Sequence, residues 1–576
     1  MDIALAGWAW GMRNIHEIAL IIGVVALLPF FFFDINGSSD QAKTAGATVL
    51  IGVYWVFEAF PIPVTSIIPI FLFPVMGVLN SEDVTPLYFN ETIALFFATN
   101  IVALAMEKHN LHRRVALRTL LIIGDRPRTL VLGVMLICAL MSCFMSNTAT
   151  TAVMAPLVMS IVQSASGTPA AIKPSYREFS DSEIEISRSV RQEKVDDYGE
   201  VQDGYLSSND LPYSSVSDDG CAADEVADVH TKKQGASKFM IAALLGTAYS
   251  ASVGGAATII GTGTNLAFVS QFEALFPSPD APDISFGIWI VFAAPFVLLC
   301  LFLLWLWLCF MYMRDVSDVN ISCNELERLY GQLGPVKIEE GIISGTMTLM
   351  VLLWLTREWW GTEVPDVGDA VVAVMGALIL FASPTFPRDP DSGAVTIRWR
   401  ERLLNWKDCK NISWGICLLL GAGYVIAEAF TVTGLSSTLG NMLSVVGNVP
   451  VIITIFICCF FVSFITEVVS NVAMASLILP VMAELAVASG EDPLVLMIPV
   501  TLACSLAFML PAATPPNAIV FAYDVLRVSD MVRTGFVLDV GGVFLLTVWS
   551  YFMLPPIFGV EYGVVPAWAF DNATVV

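Results

Sequence analysis

Two short polar motifs lie at the centres of two unusually long apolar stretches of this chain. Ser146-Asn147-Thr148 interrupts residues 129–163, and Ser470-Asn471-Val472 interrupts residues 449–489. Each stretch is too long for one membrane crossing and too interrupted for two. This pattern predicts a re-entrant hairpin with the polar motif at its tip. Backbone at that depth requires surrounding protein or a watery cavity, so the tips are candidate parts of a site within the membrane.

Two further motifs predict helices that break inside the membrane. Thr262-Gly-Thr-Asn265 follows the first hairpin, and Thr514-Pro-Pro-Asn517 follows the second. Glycines permit a break in the first motif, whereas Pro515 and Pro516 lack amide donors and are expected to exclude helix there. A broken helix exposes carbonyl oxygens at one stub and amides at the other. The carbonyls, with Ser, Thr and Asn oxygens, suit a small cation such as Na⁺, and the amides suit a carboxylate.

The spacing of these motifs predicts two inverted repeats. Aligning Ser146 with Ser470 brings Pro156 onto Pro480, ten residues later in each half. From the serine to the threonine of the following break, the first half spans 116 residues and the second 44. The difference of 72 is about the length of an acidic insertion at 164–236. An odd number of predicted crossings between the hairpins inverts the second copy, a transporter architecture that places both breaks near the bilayer midplane.

The insertion at 164–236 explains a third of the net charge of −24. It holds fifteen acidic and seven basic residues and too few apolar ones to build a core, which predicts a disordered cytosolic loop. A tolerated solvated insertion is the favoured interpretation, and a regulatory segment is the alternative. None of the four polar motifs contains Lys or Arg. An anion bound there must be held by neutral donors, helix ends and bound cations, which is the physical requirement of a symporter.

The composition predicts an all-α polytopic membrane protein. Of 576 residues, 56% are hydrophobic and 14% charged, whereas soluble domains are about 25% charged. This excludes a soluble enzyme, a nucleic-acid binder and a secreted disulfide scaffold. With the N-terminus cytosolic and the C-terminus extracellular, 26 of the 28 basic residues lie inside. About eleven transmembrane helices are expected beside the hairpins, near 18–33, 45–60, 62–79, 92–106, 238–256, 286–311, 340–356, 367–381, 412–430, 494–511 and 534–555.

The sequence lacks the motifs of a membrane-embedded hydrolase. His16-Glu-Ile-Ala-Leu20 lacks the second histidine of a zinc protease, and no GxSxG motif occurs. We therefore expect no enzymatic activity and no cofactor. Asn572, on the predicted extracellular tail, is the best candidate glycan acceptor. Glu467 lies three residues before Ser470 and is a candidate for orienting the second hairpin tip, since charge in an apolar segment is costly.

Four stretches together resemble the divalent anion/sodium symporter family of sodium-coupled di- and tricarboxylate transporters. They are Leu104–Arg118, Ser146–Thr151, Thr258–Asn265 and Ser505–Asn517. The resemblance covers nearly the whole chain except the acidic loop. It implies a plasma-membrane homodimer, contacting lipid and no nucleic acid, in which a transport part moves in an elevator-like manner against a scaffold part. Succinate, malate, fumarate, 2-oxoglutarate or citrate would be imported with Na⁺ as coupling ion.

The resemblance also implies residues for two sodium sites and for the substrate carboxylates. The second tip reads Ser-Asn-Val where the family pattern has Ser-Asn-Thr, so one hydroxyl donor is missing at Val472. The residues implied for Na⁺ are Ser146, Asn147, Gly261, Asn265, Ser470, Asn471, Ala513 and Asn517. Those implied for substrate are Asn147, Thr148, Thr262, Gly263, Asn471, Val472, Thr514 and Pro515.

The resulting domain assignment alternates scaffold and transport parts. Residues 1–90 and 276–411 are expected to form the scaffold, and 556–576 an extracellular tail. The transport part would comprise helix and hairpin at 91–163, a broken helix at 237–275, a second helix and hairpin at 412–492, and a broken helix with the last span at 493–555. Two alternatives remain on the same scaffold, a sodium-independent carboxylate exchanger and a sodium/sulfate symporter.

Overall fold

The structure of the protein, a computed structural model, describes ten stretches of the chain. These are residues 15–32, 34–35, 37–123, 126–166, 222–314, 323–360, 367–387, 395–435, 438–439 and 449–570. Within them the chain is almost entirely helical, as the sequence predicts. Asn572 and most of the acidic loop lie outside the described residues.

The first half of the chain contains eleven α-helices within the described residues. Those before the first hairpin are α1 (Ile15–Leu27), α2 (Ser39–Val56), α3 (Ile62–Thr65), α4 (Ile68–Met76), α5 (Ser81–Val84), α6 (Glu91–Lys108) and α7 (Leu111–Ile123). The first hairpin and broken helix comprise α8 (Pro127–Ser142), α9 (Asn147–Ser166), α10 (Ala222–Gly255) and α11 (Gly263–Leu275). Short 3-10 helices lie at Leu28–Phe31, Thr85–Tyr88 and Ile259–Gly261.

The second half repeats this order after a connecting region. The connecting helices are α12 (Phe286–Tyr312), α13 (Cys323–Gln332), α14 (Ile338–Leu355), α15 (Arg357–Trp360) and α16 (Asp369–Ala382), followed by the antiparallel strands β1 (Pro384–Thr385) and β2 (Arg398–Arg402). The second repeat comprises α17 (Trp414–Thr433), α18 (Val451–Thr466), α19 (Asn471–Ala488), α20 (Leu494–Ala503), α21 (Pro515–Phe521) and α22 (Val528–Phe558). Further 3-10 helices lie at Trp406–Asn411 and Ala567–Ala569.

Six helical segments of the described chain are long and apolar enough to cross a bilayer. In α12, for example, the Ser285 hydroxyl accepts a hydrogen bond from the Ile288 amide and caps a charge-free run of 27 residues. Leu298 and Phe302 on this helix are exposed to the surroundings, whereas Trp289 is fully buried. The six segments are Ser81–Lys108, Phe286–Tyr312, Ile338–Leu355, Trp414–Thr433, Asn471–Ala488 and Val528–Phe558.

Three predicted boundaries differ from the structure. The expected span at 62–79 is two short helices, α3 and α4, because the chain turns at Ser66-Ile67. The expected span at 494–511 is helical only to Ala503. α10 begins at Ala222, so its first residues were wrongly placed in the disordered loop at 164–236.

The two repeats pack crosswise. α9, the second arm of the first hairpin, packs against α21, which follows the break in the other half. In the same way α19, from the second hairpin, packs against α11. A separate apolar core joins α1, α2 and α4 to one face of α17. The crosswise packing brings both tips and both breaks to one region of the molecule.

Candidate substrate and sodium site

The first hairpin tip is a helix N-terminus. Ser146 precedes α9, and its hydroxyl accepts a hydrogen bond from the Ala149 amide at 3.2 Å. The amides of Asn147 and Thr148 fall in the first turn of the helix, where no intrahelical carbonyl is available to them. Their N–H groups and the positive end of the helix dipole therefore suit one carboxylate of an anion.

Side chains of the first break hold it against this tip. The Thr258 hydroxyl donates to the Cys143 carbonyl at 2.7 Å, and the Ser142 hydroxyl donates to the Ala251 carbonyl at 2.7 Å. The Asn265 amide nitrogen donates to the carbonyls of Ala256 at 3.2 Å and Thr258 at 2.8 Å. These bonds replace the helical ones that the break removes, which a buried backbone requires.

Oxygen atoms surround Gly261 closely enough to form a cation pocket. A side-chain carbon added at Gly261 would lie 2.9 Å from both the Ser142 carbonyl and the Thr258 hydroxyl, and would overlap the Gly255 carbonyl oxygen. The Asn147 amide oxygen borders the same space, because a side chain at Gly255 would collide with it. Hard oxygen donors of this kind suit Na⁺, and only glycine leaves the space free.

The second tip carries a buried oxygen that has no protein donor. Ser470 precedes α19 and, unlike Ser146, makes no side-chain capping bond. The amide oxygen of Asn471 is buried and accepts no hydrogen bond from any described residue. Such an acceptor is costly unless a ligand satisfies it. The residues therefore fit a cation at this tip.

The second break repeats the geometry of the first. The Asn517 amide nitrogen donates to the carbonyls of Ala507 at 3.3 Å and Leu510 at 3.1 Å. The amide oxygens of Asn265 and Asn517 are both buried, and neither accepts a hydrogen bond within the described chain. Leu510 lies as far before Asn517 as Thr258 lies before Asn265. Each asparagine thus fixes its break with the nitrogen and leaves its oxygen for another ligand.

The two halves meet at their polar motifs. A side chain at Gly263 would lie 2.8 Å from a methyl group of Val472, so the start of α11, which follows the first break, touches the second tip. The buried Thr264 and Ser505 hydroxyls form a hydrogen bond of 3.0 Å between the two breaks. Val472 therefore presents apolar surface where the family pattern would place a hydroxyl.

Two predictions about the breaks are wrong in detail. Pro515 and Pro516 do not exclude helix; they occupy the first turn of α21, where proline needs no helical donor. The irregular segment precedes them, from Cys504 to Thr514. Similarly, Gly263 opens α11 rather than belonging to the break. Because prolines occupy its start, α21 offers fewer amides to an anion than the other helix starts. Pro515 itself therefore cannot contribute an amide donor.

Within the described residues, close contacts join Asn147 and Gly261 to Gly255, and Gly263 to Val472, whereas Asn572 lies outside this part of the chain. Ala513, Thr514 and Asn517 are buried, and Thr262 is the N-cap residue of α11, its hydroxyl accepting a hydrogen bond from the Thr264 hydroxyl at 3.3 Å. Sequence reasoning missed Ser142, Gly255 and Thr258, which supply oxygens or space around Gly261. Thr258 lay within the recognised motif stretch, but nothing in the sequence distinguished Ser142.

The fold and the site define a class. A helical membrane protein whose two hairpin tips and two broken helices converge on polar, uncharged groups has the architecture of a secondary transporter.

Comparison with known proteins identifies the family. The sodium:sulfate symporter transmembrane region matches residues 14–557. The Na⁺/citrate cotransporter of Rattus norvegicus is 36% identical over 91% of this chain and 91% of its own. The Na⁺/dicarboxylate cotransporter 3 of the same species is 34% identical over 99% and 96%, and human solute carrier family 13 member 2 is 35% identical over 93% and 92%. The chain belongs to the sodium:sulfate symporter family, which confirms the resemblance seen in its motifs.

Proposed function

We propose that this protein imports di- and tricarboxylates together with Na⁺ across the plasma membrane. Succinate, malate, fumarate, 2-oxoglutarate and citrate form the substrate class. The named relatives are Na⁺/citrate and Na⁺/dicarboxylate cotransporters, which supports the proposal. The observation that carries it is the pair of orphaned amide oxygens of Asn265 and Asn517, each beside a helix start that can face an anion.

Cation binding precedes tight anion binding in this scheme. One Na⁺ lies near Ser146, Asn147, Gly261 and Asn265, and the other near Ser470, Asn471, Ala513 and Asn517. Each ion neutralises carbonyl and amide oxygens that would otherwise repel a carboxylate. Because the motifs contain no Lys or Arg, the cations supply the only full positive charges at the site. Coupling follows, since the empty site binds the anion poorly.

The substrate lies between the two tips. One carboxylate contacts the amides at Asn147 and Thr148, and the other those at Asn471 and Val472. Thr262, Gly263 and Thr514 complete the site, and the α21 end contributes fewer donors because of Pro515. The methyl groups of Val472 against Gly263 make the second end less polar than the first.

Transport would use an elevator-like movement within a homodimer. The helices of residues 91–163, 237–275 and 412–555 would carry the site against a scaffold formed by 1–90 and 276–411. With the N-terminus cytosolic and the C-terminus extracellular, 26 of 28 basic residues face the cytosol, in accord with the positive-inside rule.

An uptake panel tests the function. Cells expressing the full chain should take up labelled succinate and citrate when Na⁺ is present and not when choline replaces it. Sulfate is the second candidate substrate, because the family description names it and the same neutral donors could hold that dianion. Sulfate uptake without carboxylate uptake would replace the proposed substrate class, and carboxylate uptake independent of Na⁺ would indicate an exchanger.

A further inference from the structure

Two buried carboxyl groups contact each other behind the second break. Asp539 lies within α22 and is fully buried, and Glu467, between α18 and Ser470, is 3% exposed. Their carboxyl groups are within hydrogen-bonding reach of each other. In the described part of the chain, neither forms an ion pair with Lys, Arg or His.

Glu467 braces the backbone of the break. One carboxylate oxygen accepts a hydrogen bond from the Met509 amide at 2.9 Å, and the other accepts one from the Leu510 amide at 2.9 Å. The Leu510 carbonyl in turn accepts a hydrogen bond from Asn517. Glu467 is therefore one step from the asparagine whose oxygen faces the proposed cation. The prediction that this residue orients the tip gains a geometric basis.

Asp539 is held in place by the close approach of α22 to the break. Gly535, one helical turn earlier, lies so near that a side chain there would come within 2.5 Å of the Phe508 carbonyl oxygen. Neither oxygen of Asp539 accepts a hydrogen bond of good geometry from a described residue, although the Phe508 amide faces both carboxyls. Asp539 thus has an acidic neighbour, and of the two carboxyl groups it is Glu467 that holds the well-formed amide bonds, from Met509 and Leu510.

Two carboxylates in contact in a buried region cannot both be charged. Glu467 has two amide donors that stabilise the charged form, so the proton belongs on Asp539. We propose that Asp539 is a protonated carboxylic acid that donates a hydrogen bond to the Glu467 carboxylate and so positions the second break for cation binding. Asp539 is a positioning residue, and its role in Na⁺ binding rests on the proposed function.

The surroundings leave this proton without a competing charge. Two phenols belong to the surroundings of the pair, Tyr249 on α10 and Tyr312 on α12. The Tyr249 hydroxyl already donates to the Phe508 carbonyl at 2.8 Å, and the Tyr312 hydroxyl is bonded to Thr534. The remaining ionisable residues on α22 and the elements packed against it are Asp530, Arg533 and Tyr551 on α22, Cys458 and Cys459 on α18, Cys300 and Cys309 on α12, and Cys504 after α20. α20 itself contains none.

The first repeat shows what the pair replaces. Cys143 lies three residues before Ser146, the position that Glu467 takes before Ser470. There the link to the break is the bond between the Thr258 hydroxyl and the Cys143 carbonyl. A neutral contact in one half is thus replaced by a protonated acid pair in the other, so only the second break should respond to pH.

Infrared spectroscopy of the purified full-length protein tests the proton directly. The wild type should show a carbonyl band of a protonated, hydrogen-bonded carboxylic acid at neutral pH that disappears in Asp539→Asn. Asp524→Asn, an exposed position before the same helix, is the matched control and should leave the band unchanged. An unchanged band in Asp539→Asn would overturn the proposal. This measurement is independent of which substrate is carried.

Uptake measurements test the positioning role. Asp539→Leu should raise the Na⁺ concentration for half-maximal uptake roughly tenfold, the equivalent of one charge-assisted hydrogen bond. In Asp539→Asn the Na⁺ concentration for half-maximal uptake should stay within about twofold of the wild-type value, since the amide can donate to Glu467. Raising the pH should lower the wild-type Na⁺ affinity once the shared proton is lost, and Asp539→Asn should lack this fall.

Each outcome is decisive. Equal Na⁺ dependence in wild type and Asp539→Leu, at matched surface expression, would overturn the positioning role. Equal losses in the Leu and Asn variants would overturn hydrogen-bond donation. If neither the wild type nor any variant transports a carboxylate or sulfate, the proposed function is wrong. The infrared band still shows, independently, whether Asp539 is protonated.

Discussion

At the residue scale, the asparagines of the site divide donor and acceptor roles. Asn265 and Asn517 use their nitrogens to hold backbone carbonyls, and their oxygens, like that of Asn471, accept no hydrogen bond from a described residue. Asn147 differs, since its oxygen lies 2.5 Å from the Ser142 hydroxyl, whose single proton it shares with the Ala251 carbonyl. Asn471 is thus the asparagine whose removal should affect ligands more than folding.

Replacing Asn471 by alanine should abolish Na⁺-dependent uptake with little change in surface expression. The substitution removes a buried acceptor that no described residue satisfies, so the folded state loses no protein hydrogen bond to that oxygen. Asn147→Ala should also abolish uptake. Surface biotinylation and labelled-succinate uptake measure both effects, with Asn80→Ala, exposed before α5, as control. Full activity of Asn471→Ala would remove the basis of the second cation site.

The oxygen pocket at Gly261 gives a second prediction. The methyl group of Gly261→Ala would occupy the space between the Ser142 carbonyl and the Thr258 hydroxyl, 2.9 Å from each. We expect the half-saturating Na⁺ concentration to rise at least about tenfold, the loss of ~1.4 kcal/mol. Gly345→Ala is the matched control, because nothing lies within 4 Å of its added carbon. Unchanged Na⁺ dependence in Gly261→Ala would place the cation elsewhere.

Residue types predicted the tips and breaks well, because a Ser-Asn pair at the centre of a long apolar stretch is costly unless it faces a polar site. They could not predict the oxygen cage around Gly261. Two of its members are backbone carbonyls, of Ser142 and Gly255, and every residue has a carbonyl. The partner of Glu467 was also missed, since Asp539 lies 72 positions later on a helix whose register the sequence leaves open.

At the element scale, a buried ion pair joins helices assigned to different proposed parts. Arg114 on α7 lies 2.8 Å from the Glu340 carboxylate on α14, and both side chains are nearly fully buried. Its other nitrogens donate to the carbonyls of Leu333, Gly334 and Pro335 at 2.9–3.3 Å. The guanidinium fork thus fastens the loop before α14 to the helix that leads into the first hairpin. Lysine has the charge but cannot make these bonds together.

Arg114→Lys should therefore destabilise the protein measurably. Losing the fork leaves buried carbonyls and a carboxylate only partly satisfied, and breaking such a pair costs about 3–5 kcal/mol. The expected result is a lower midpoint of thermal unfolding in detergent and reduced surface expression. Arg118→Lys, an exposed position one turn later on α7, should change neither. Equal behaviour of the two variants would show that the Arg114 bonds contribute little.

Helix ends were predicted correctly where the sequence contains a residue that terminates a helix. Gly434 ends α17 in a left-handed conformation, near the expected end at 430. The prolines of α21 gave a wrong prediction because they occupy the first turn, where a proline begins a helix. Even further inside, Pro156 and Pro480 lie within continuous helices, so proline alone does not mark a break. Apolar content alone could not show that 504–514 is irregular, since buried loop and buried helix have the same composition.

At the scale of the whole molecule, the repeat arithmetic required only the spacing of motifs, whereas the crosswise packing of α9 on α21 and α11 on α19 required the structure. Pseudo-symmetry allows the two halves to meet in more than one way, and sequence spacing does not choose among them. The contact of Gly263 with Val472 shows which of these arrangements the two halves adopt.

The same arithmetic predicts that the acidic insertion is dispensable for transport. α9 ends at Ser166 and α10 begins at Ala222, and the two helices pack together. Replacing residues 170–218 with a Gly/Ser linker of about 15 residues should leave Na⁺-dependent succinate uptake within about twofold of wild type, after correction for surface expression. A variant with the same residues in scrambled order is the matched control. Uptake that survives scrambling but not deletion would contradict this prediction, because it would mean that the charge or length of the loop is needed.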